Sequence, residues 1–209
     1  MARRTSRPGG SGDGPPGDFR IIGGRWRRRR LPVASRPGLR PTPDRVRETV
    51  FNWLAPVVTG ARCLDLFAGT GALGLEALSR GAASWVLEET DAAAVRQLRA
   101  ALDLLQCEDA DIVQRNVMSF LASGARPFDL VFVDPPYALD LLPGVCERLE
   151  HGWLTASARV YLEGPADAGP PRLSPGWTLL RSARAGQVGY HLAHFARPQP
   201  VQERRTQEQ

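Results

Sequence analysis

The sequence predicts an α/β protein with a doubly wound, mostly parallel sheet of seven strands. A C-terminal antiparallel hairpin closes the sheet, and a small arginine-rich hairpin-and-helix appendage precedes it. Three observations carry this. Short apolar β-former runs recur at 61–66, 84–88, 110–114, 129–133 and 159–163, with helix-like segments between them at 71–80, 91–105, 117–123 and 139–151. That rhythm is the mark of βαβ units. The last two β-like runs, Trp177 to Arg184 and Val188 to Ala196, are joined only by Ala185-Gly186-Gln187, too short for a crossover helix and therefore antiparallel. Finally, the run Phe128 to Val133 stops at Asp134-Pro135-Pro136-Tyr137. Neither proline can donate to a ladder, so the chain leaves the sheet there.

Taken in order, residues 1–18 are rich in Gly, Pro, Ser and Arg without apolar periodicity and read as a disordered tail. Residues 19–55 form the appendage. Arg20-Ile21-Ile22, the turn signal Gly23-Gly24 and the run Arg25-Trp26-Arg27-Arg28-Arg29-Arg30-Leu31 predict a hairpin or extended arm. Thr42-Pro43-Asp44 predicts a helix start with Thr42 as N-cap and Pro43 in the first turn. Val46, Val50, Trp53 and Leu54 follow at helical spacing and should pack on the sheet. Residues 56–196 hold the sheet, and 197–209 are a polar tail.

Composition excludes several classes. With 209 residues, 43% of them hydrophobic, there is material for one filled core. No apolar stretch is long enough to span a bilayer, and the N-terminus lacks the core of a signal peptide. Cys63, Cys107 and Cys146 form no CxxC pair and suit a reducing, cytoplasmic setting. His191 and His194 lie three apart in a strand, on opposite faces, so no metal site is expected. The net charge of +5 is uneven: residues 1–50 hold 13 of the 27 basic residues and 4 of the 22 acids. All of the basic residues are arginine, whose flat fork suits phosphates and bases. A basic head on a mildly acidic body points to a polyanion partner.

Two motifs point to chemistry. The segment Asp65-Leu66-Phe67-Ala68-Gly69-Thr70-Gly71-Ala72-Leu73-Gly74 is a strand end, a glycine turn and a helix start, with Glu89 at the end of the next strand. Read as GxGxxG it is a weak dinucleotide signal. Asp65 separates the alternatives, because a carboxylate before the first glycine gains nothing from a pyrophosphate but suits a ligand carrying an ammonium and a sulfonium. S-adenosylmethionine fits: Asp65 serves its methionyl end, Phe67, Gly69, Thr70 and Gly71 form the turn around it, Glu89 takes the ribose hydroxyls and Asn116 the adenine edge. The second motif places the Asp134 carboxylate, the Pro135 carbonyl, Pro136 and the Tyr137 ring at the edge of the sheet where ligands bind. An acceptor pair beside a flat ring suits an amino group on a planar base, with Tyr137 stacking on it.

With both motifs in place, the chain resembles the RsmD-type 16S ribosomal RNA guanine-N2 methyltransferases, which have the Rossmann-like class I S-adenosylmethionine-dependent fold. The resemblance covers roughly residues 19–196. It rests on Arg20 to Trp26, Leu39-Arg40-Pro41-Thr42, the block Asp44 to Leu54, the block Leu64 to Ala82, Asp134 to Tyr137 and Gly186-Gln187-Val188. It implies methyl transfer to the exocyclic N2 of a guanine in 16S rRNA, within a partly assembled small ribosomal subunit and with no obligate protein partner. Arg25, Arg27, Arg28, Arg29 and Arg30 are then expected to bind phosphates, while Arg40, Arg45 and Arg47 reach RNA or cofactor. Other readings stay open on the residues alone: adenine-N6 methylation of RNA or DNA, and a non-catalytic RNA-binding protein on the same scaffold. A nicotinamide oxidoreductase is the weakest, since no acid/base pair for hydride chemistry is apparent.

Overall fold

A computed structural model describes residues 17–33 and 42–196; most of the two expected tails, and Arg40, lie outside the described residues. Strands β1 (Gly17–Arg20) and β2 (Arg30–Val33) pair antiparallel, so the arginine-rich segment is a hairpin. Its first strand begins within the residues expected to be tail. Helix α1 (Asp44–Leu54) follows, then β3 (Arg62–Asp65), α2 (Ala72–Ser79), β4 (Ser84–Glu88), α3 (Ala92–Leu105), β5 (Ala110–Val113), α4 (Val117–Leu121) and β6 (Phe128–Val133). A 3₁₀ turn (Tyr137–Leu139), α5 (Leu142–Leu149), β7 (Leu154–Pro165), β8 (Trp177–Ala185) and β9 (Val188–Phe195) complete the chain.

The main sheet has the order β5-β4-β3-β6-β7-β9-β8. Strands β3 to β7 are parallel, and β9 runs antiparallel to both β7 and β8. The chain winds outward from β3 through β4 to β5, then returns to β6 on the other side. The point where direction reverses, between β3 and β6, is where such sheets bind ligands.

Both faces of the sheet are covered. One core packs α1, α2 and α3 on Cys63, Leu87, Leu130 and Phe132. The other packs α4 and α5 on Leu64, Val86, Val131 and Val160. The apolar stripe of α1 behaves as its spacing predicts: Val46, Val50 and Leu54 are buried, and Trp53 stacks on Tyr190 at 5.5 Å. The hairpin's Phe19, Ile21, Trp26, Leu31 and Val33 join this first core. The appendage is thus continuous with the sheet domain across residues 55–56.

The hairpin is bolted to α2. The backbone N–H groups of Ile22 and Gly23 each donate to the Glu76 carboxylate at 2.8 Å, and the Arg25 N–H donates to the Ser79 carbonyl at 2.7 Å. Gly24, at φ +74°, lets the backbone approach this closely; a Cβ there would meet the Ser79 carbonyl oxygen at 1.7 Å.

Three local expectations are corrected. Helix α1 starts at Asp44 with Pro43 in the cap position and no side-chain cap, because Pro43 at ψ 146° is still extended. The expected helix at 139–151 divides into the 3₁₀ turn and α5, since Asp140 adopts φ 42°. Strand β7 is twelve residues long, and its register against β6 shifts between Phe128 and Leu130.

Candidate active site

At the reversal point a cavity of about 600 Å³ opens along the carboxyl ends of β3, β4 and β6. The glycine turn forms one wall. Gly69 (φ 51°) and Gly71 (φ 75°) take left-handed conformations, which carry little penalty for glycine alone. Gly71 and Gly74 also serve packing: a Cβ at Gly71 would lie 2.5 Å from Leu98 and one at Gly74 1.9 Å from the Trp85 ring, so α2 sits directly on β4. Phe67 and Thr70 line the cavity beside the turn.

Asp65, at the end of β3, is 2% exposed. One N–H, from Phe67 at 3.4 Å, reaches its carboxylate. Burial, against the effect of that N–H and with the help of the nearby Glu89 charge, pushes the carboxyl up to about 7. Glu89 itself holds the turn in shape, accepting from the Gly69 N–H at 3.0 Å and the Asp91 N–H at 2.8 Å. Asn116 caps α4, its Oδ1 accepting from the Met118 and Ser119 N–H groups. This leaves its Nδ2 protons as the polar face toward a base.

The Asp134 side of the cavity contains a group the sequence motifs do not single out. Glu163, from β7, is 8% exposed and lines the same cavity. It accepts from the Tyr137 hydroxyl at 3.0 Å and the Tyr161 hydroxyl at 2.6 Å, and it stands close to Asp134. Burial first, then the charges of Glu163 and Asp65, hold the Asp134 carboxyl well above the usual carboxylate range. Pro135 and Pro136 line the cavity with Tyr137, whose ring is 42% exposed. Glu88 was also missed. Both its oxygens are buried without a hydrogen-bond partner, and burial pushes it up to about 8. The signal for Glu88 and Glu163 was their place at the last turn of an apolar strand run, where an acid is unexpected.

The cavity is rich in carboxyl groups. Asp65, Glu88, Glu89, Asp134 and Glu163 line it, and among the described residues Arg115 is its one cation. A glycine cradle beside buried, underbonded carboxylates fits a ligand with a cationic amino-acid end and an adenosine. S-adenosylmethionine is such a ligand. Among the described residues no three His, Cys, Asp or Glu side chains gather as metal ligands. His191 bonds Ser182, and His194 bonds the Ala158 carbonyl.

The arginines separate into two groups. Arg27, Arg28 and Arg29 are exposed on the hairpin connection, and Arg45 is exposed on α1. Arg25 lies over the Trp26 ring and pairs with Asp109 at 3.0 Å; Arg30 pairs with Asp18 at 2.8 Å; both keep about half or more of the side chain exposed. Arg47 is a correction. It is fully buried, bonded to Asp44 at 2.6 Å, Glu76 at 3.3 Å and the carbonyls of Arg20 and Thr42. Its guanidinium ties the hairpin to α1 and α2 and reaches neither cavity ligand nor solvent.

The chain matches the family model described as conserved hypothetical protein 95 over residues 19–194. It is 52% identical over 187 residues to the ribosomal RNA small subunit methyltransferase D of Escherichia coli K12, spanning 89% of this chain and 93% of that one. The Haemophilus influenzae protein of the same name is 43% identical over 182 residues, 84% of this chain and 93% of the relative. A solved methyltransferase chain from Escherichia coli superposes with a TM-score of 0.81 at 50% identity, covering 86% of this chain and 99% of that chain.

Proposed function

We propose, from the premise that this chain belongs to the RsmD-type methyltransferase family, that it methylates the exocyclic N2 of a guanine in small-subunit ribosomal RNA. The methyl donor is S-adenosylmethionine. The observation that carries the reading is the Asp134-Pro135 acceptor pair with the Tyr137 ring, facing one cavity with the glycine turn and Asp65.

The cofactor supplies an electrophilic methyl group on a sulfonium. Asp65 would serve as counter-ion for its cationic end, the backbone of the Gly69–Gly71 turn would allow close approach, and Glu89 and the Asn116 amide would hold its adenosine. On the acceptor side the amino nitrogen is a poor nucleophile, because its lone pair is delocalised into the ring. An Asp134 oxygen and the Pro135 carbonyl each accept one amino hydrogen, drawing the nitrogen toward tetrahedral geometry and aiming its lone pair. Positioning of this kind is worth on the order of several kcal/mol. Tyr137 stacks on the extruded base, worth about 1–3 kcal/mol, and its bond to Glu163 fixes the ring. Asp134 is also the nearest group to take the proton that the methylated nitrogen sheds.

The exposed Arg27, Arg28 and Arg29, with Arg45 and the outer parts of Arg25 and Arg30, offer phosphate contacts on the hairpin and on α1. An unstacked loop nucleotide is the least costly to present to such a site. A partly assembled small subunit, which exposes such loops, is the proposed substrate. The test is methyl transfer from labelled S-adenosylmethionine to small-subunit rRNA, free and in protein-bound particles, followed by nucleoside analysis. Label in N2-methylguanosine, lost in Asp134→Ala, is expected. Label in N6-methyladenosine would overturn the substrate, and no transfer to either form by a protein that binds the cofactor would overturn the activity.

A further inference from the structure

We infer that Glu163 is the residue that selects guanine, by accepting the ring N1–H that lies next to the amino group being methylated. The inference rests on the proposed guanine-N2 reading and concerns the same site.

Val133 of β6 is paired with Leu162 of β7, so the residues that follow, Asp134 and Glu163, stand side by side at the carboxyl edge of neighbouring strands. Such strands lie about 4.8 Å apart. The two carboxyls are close enough to act on each other's charge and line one cavity. A base whose amino group meets Asp134 must therefore bring the neighbouring atom of its ring to Glu163.

That neighbouring atom differs between bases. In guanine the amino group is flanked by N1–H, a donor, on one side and by N3, an acceptor, on the other, and the proposed orientation turns N1–H to Glu163. In adenine it is flanked by N1 and N7, and in cytosine by N3, all acceptors. An acceptor on the protein at this position bonds guanine and leaves lone pairs opposed in the other two.

Glu163 is held as an acceptor. Two hydroxyls donate to it, Tyr137 at 3.0 Å and Tyr161 at 2.6 Å, one to each oxygen. A carboxylate has about four lone-pair sites. Tyr137 and Tyr161 engage two and leave capacity for a further donor. Tyr161 is buried in the core and has no exposed edge for RNA, so its hydroxyl serves to orient Glu163. The bond from Tyr137 places the stacking ring and the reading carboxylate in fixed relation.

The test compares guanine with 2,6-diaminopurine, which keeps the C2 amino group but presents N1 as an acceptor. Once the methylated nucleotide has been mapped, a synthetic segment carrying either base at that position is ligated into small-subunit rRNA. Wild-type protein should prefer guanine by at least about 100-fold in kcat/KM, as sites built around a hydrogen bond do. Glu163→Gln offers an amide N–H to the analogue's N1, so the ratio should fall at least about tenfold while cofactor affinity is kept. Equal use of both bases by the wild type would overturn the inference, as would equal losses on both bases in Glu163→Gln. The wild-type ratio needs no variant, so it decides even where Glu163→Gln does not fold. Wild-type label mapping to an adenine N6 would instead refute the guanine reading beneath it.

Discussion

Asp65→Asn should make the ligand-free protein more stable at pH 8 while removing cofactor binding. Asp65 is 2% exposed, with one long N–H contact, and its carboxyl is raised from 3.8 to about 7. Folding therefore favours the neutral acid. The stability this group allows is fully present below about pH 4 and is lost as pH rises toward 7, where the folded protein must carry a buried charge. A displacement of that size corresponds to about 4 kcal/mol. An amide avoids the charge but still buries polar atoms at a cost of about 1 kcal/mol. The net gain at pH 8 should be about 3 kcal/mol, turning into a loss of about 1 kcal/mol at pH 4, where the wild-type carboxyl is neutral. For a chain of this length the gain at pH 8 is a rise in Tm of about 6–12 °C. Urea denaturation of wild type and variant at pH 4, 6 and 8 measures it, with calorimetric titration of S-adenosylmethionine alongside. Parallel pH dependences in the two proteins, or a variant less stable at pH 8, would refute the assignment of a buried unpaired charge. Retained cofactor affinity would refute the counter-ion role.

Other perturbations probe separate parts. Arg47→Met leaves the buried Glu76 short of a cation and should destabilise by about 3–5 kcal/mol in denaturant unfolding. An RNA-contact role would instead lower the salt slope of binding at unchanged stability. Replacing Arg27, Arg28 and Arg29 together by alanine should reduce that salt slope by up to about 2–3, at roughly 0.7–0.9 per phosphate lost, with unchanged cofactor affinity in the same titrations. Because Asp134 is held well above the ordinary carboxylate value, ionisation of its acceptor oxygens should come late: kcat/KM should rise with pH along a limb displaced well above about 4. A flat profile from pH 5 upward would count against that role.

Much of the fold was legible because it depends on local patterns. Five apolar runs separated by helix-length segments admit few arrangements besides a parallel sheet, and Ala185-Gly186-Gln187 leaves room only for a hairpin. The ends of elements were less legible. The break at Asp140 and the late start of α1 depend on backbone angles that several residue types can adopt. Within the site, Asp65, Gly69, Glu89, Asn116 and Asp134 to Tyr137 were identifiable because each sits where a strand must end. All of the described ones meet in one cavity or hold its turn.

Arg47 shows the limit of charge reading. Arg45 and Glu48 lie close to it in the chain, and its position in an arginine-rich block suggests a solvated or RNA-facing side chain. Burial was decided by the docking of the hairpin on α2, which brought Glu76, 29 residues away, to the same point. Glu163 shows the converse. A lone acid at the end of β7 has no motif, and its significance arises only when β7 pairs with β6 and sets it beside Asp134 and Tyr137.

By itself the sequence determined the order of strands and helices, the strand ends that bear chemistry and the basic character of the hairpin. These follow from spacing, turn chemistry and composition, all local along the chain. The tertiary structure decided which charges are buried, which arginines remain free to meet a polyanion, and which carboxylate stands beside the reacting one. Those outcomes depend on pairing between distant segments, where desolvation and register are set by neighbours that no window of sequence contains.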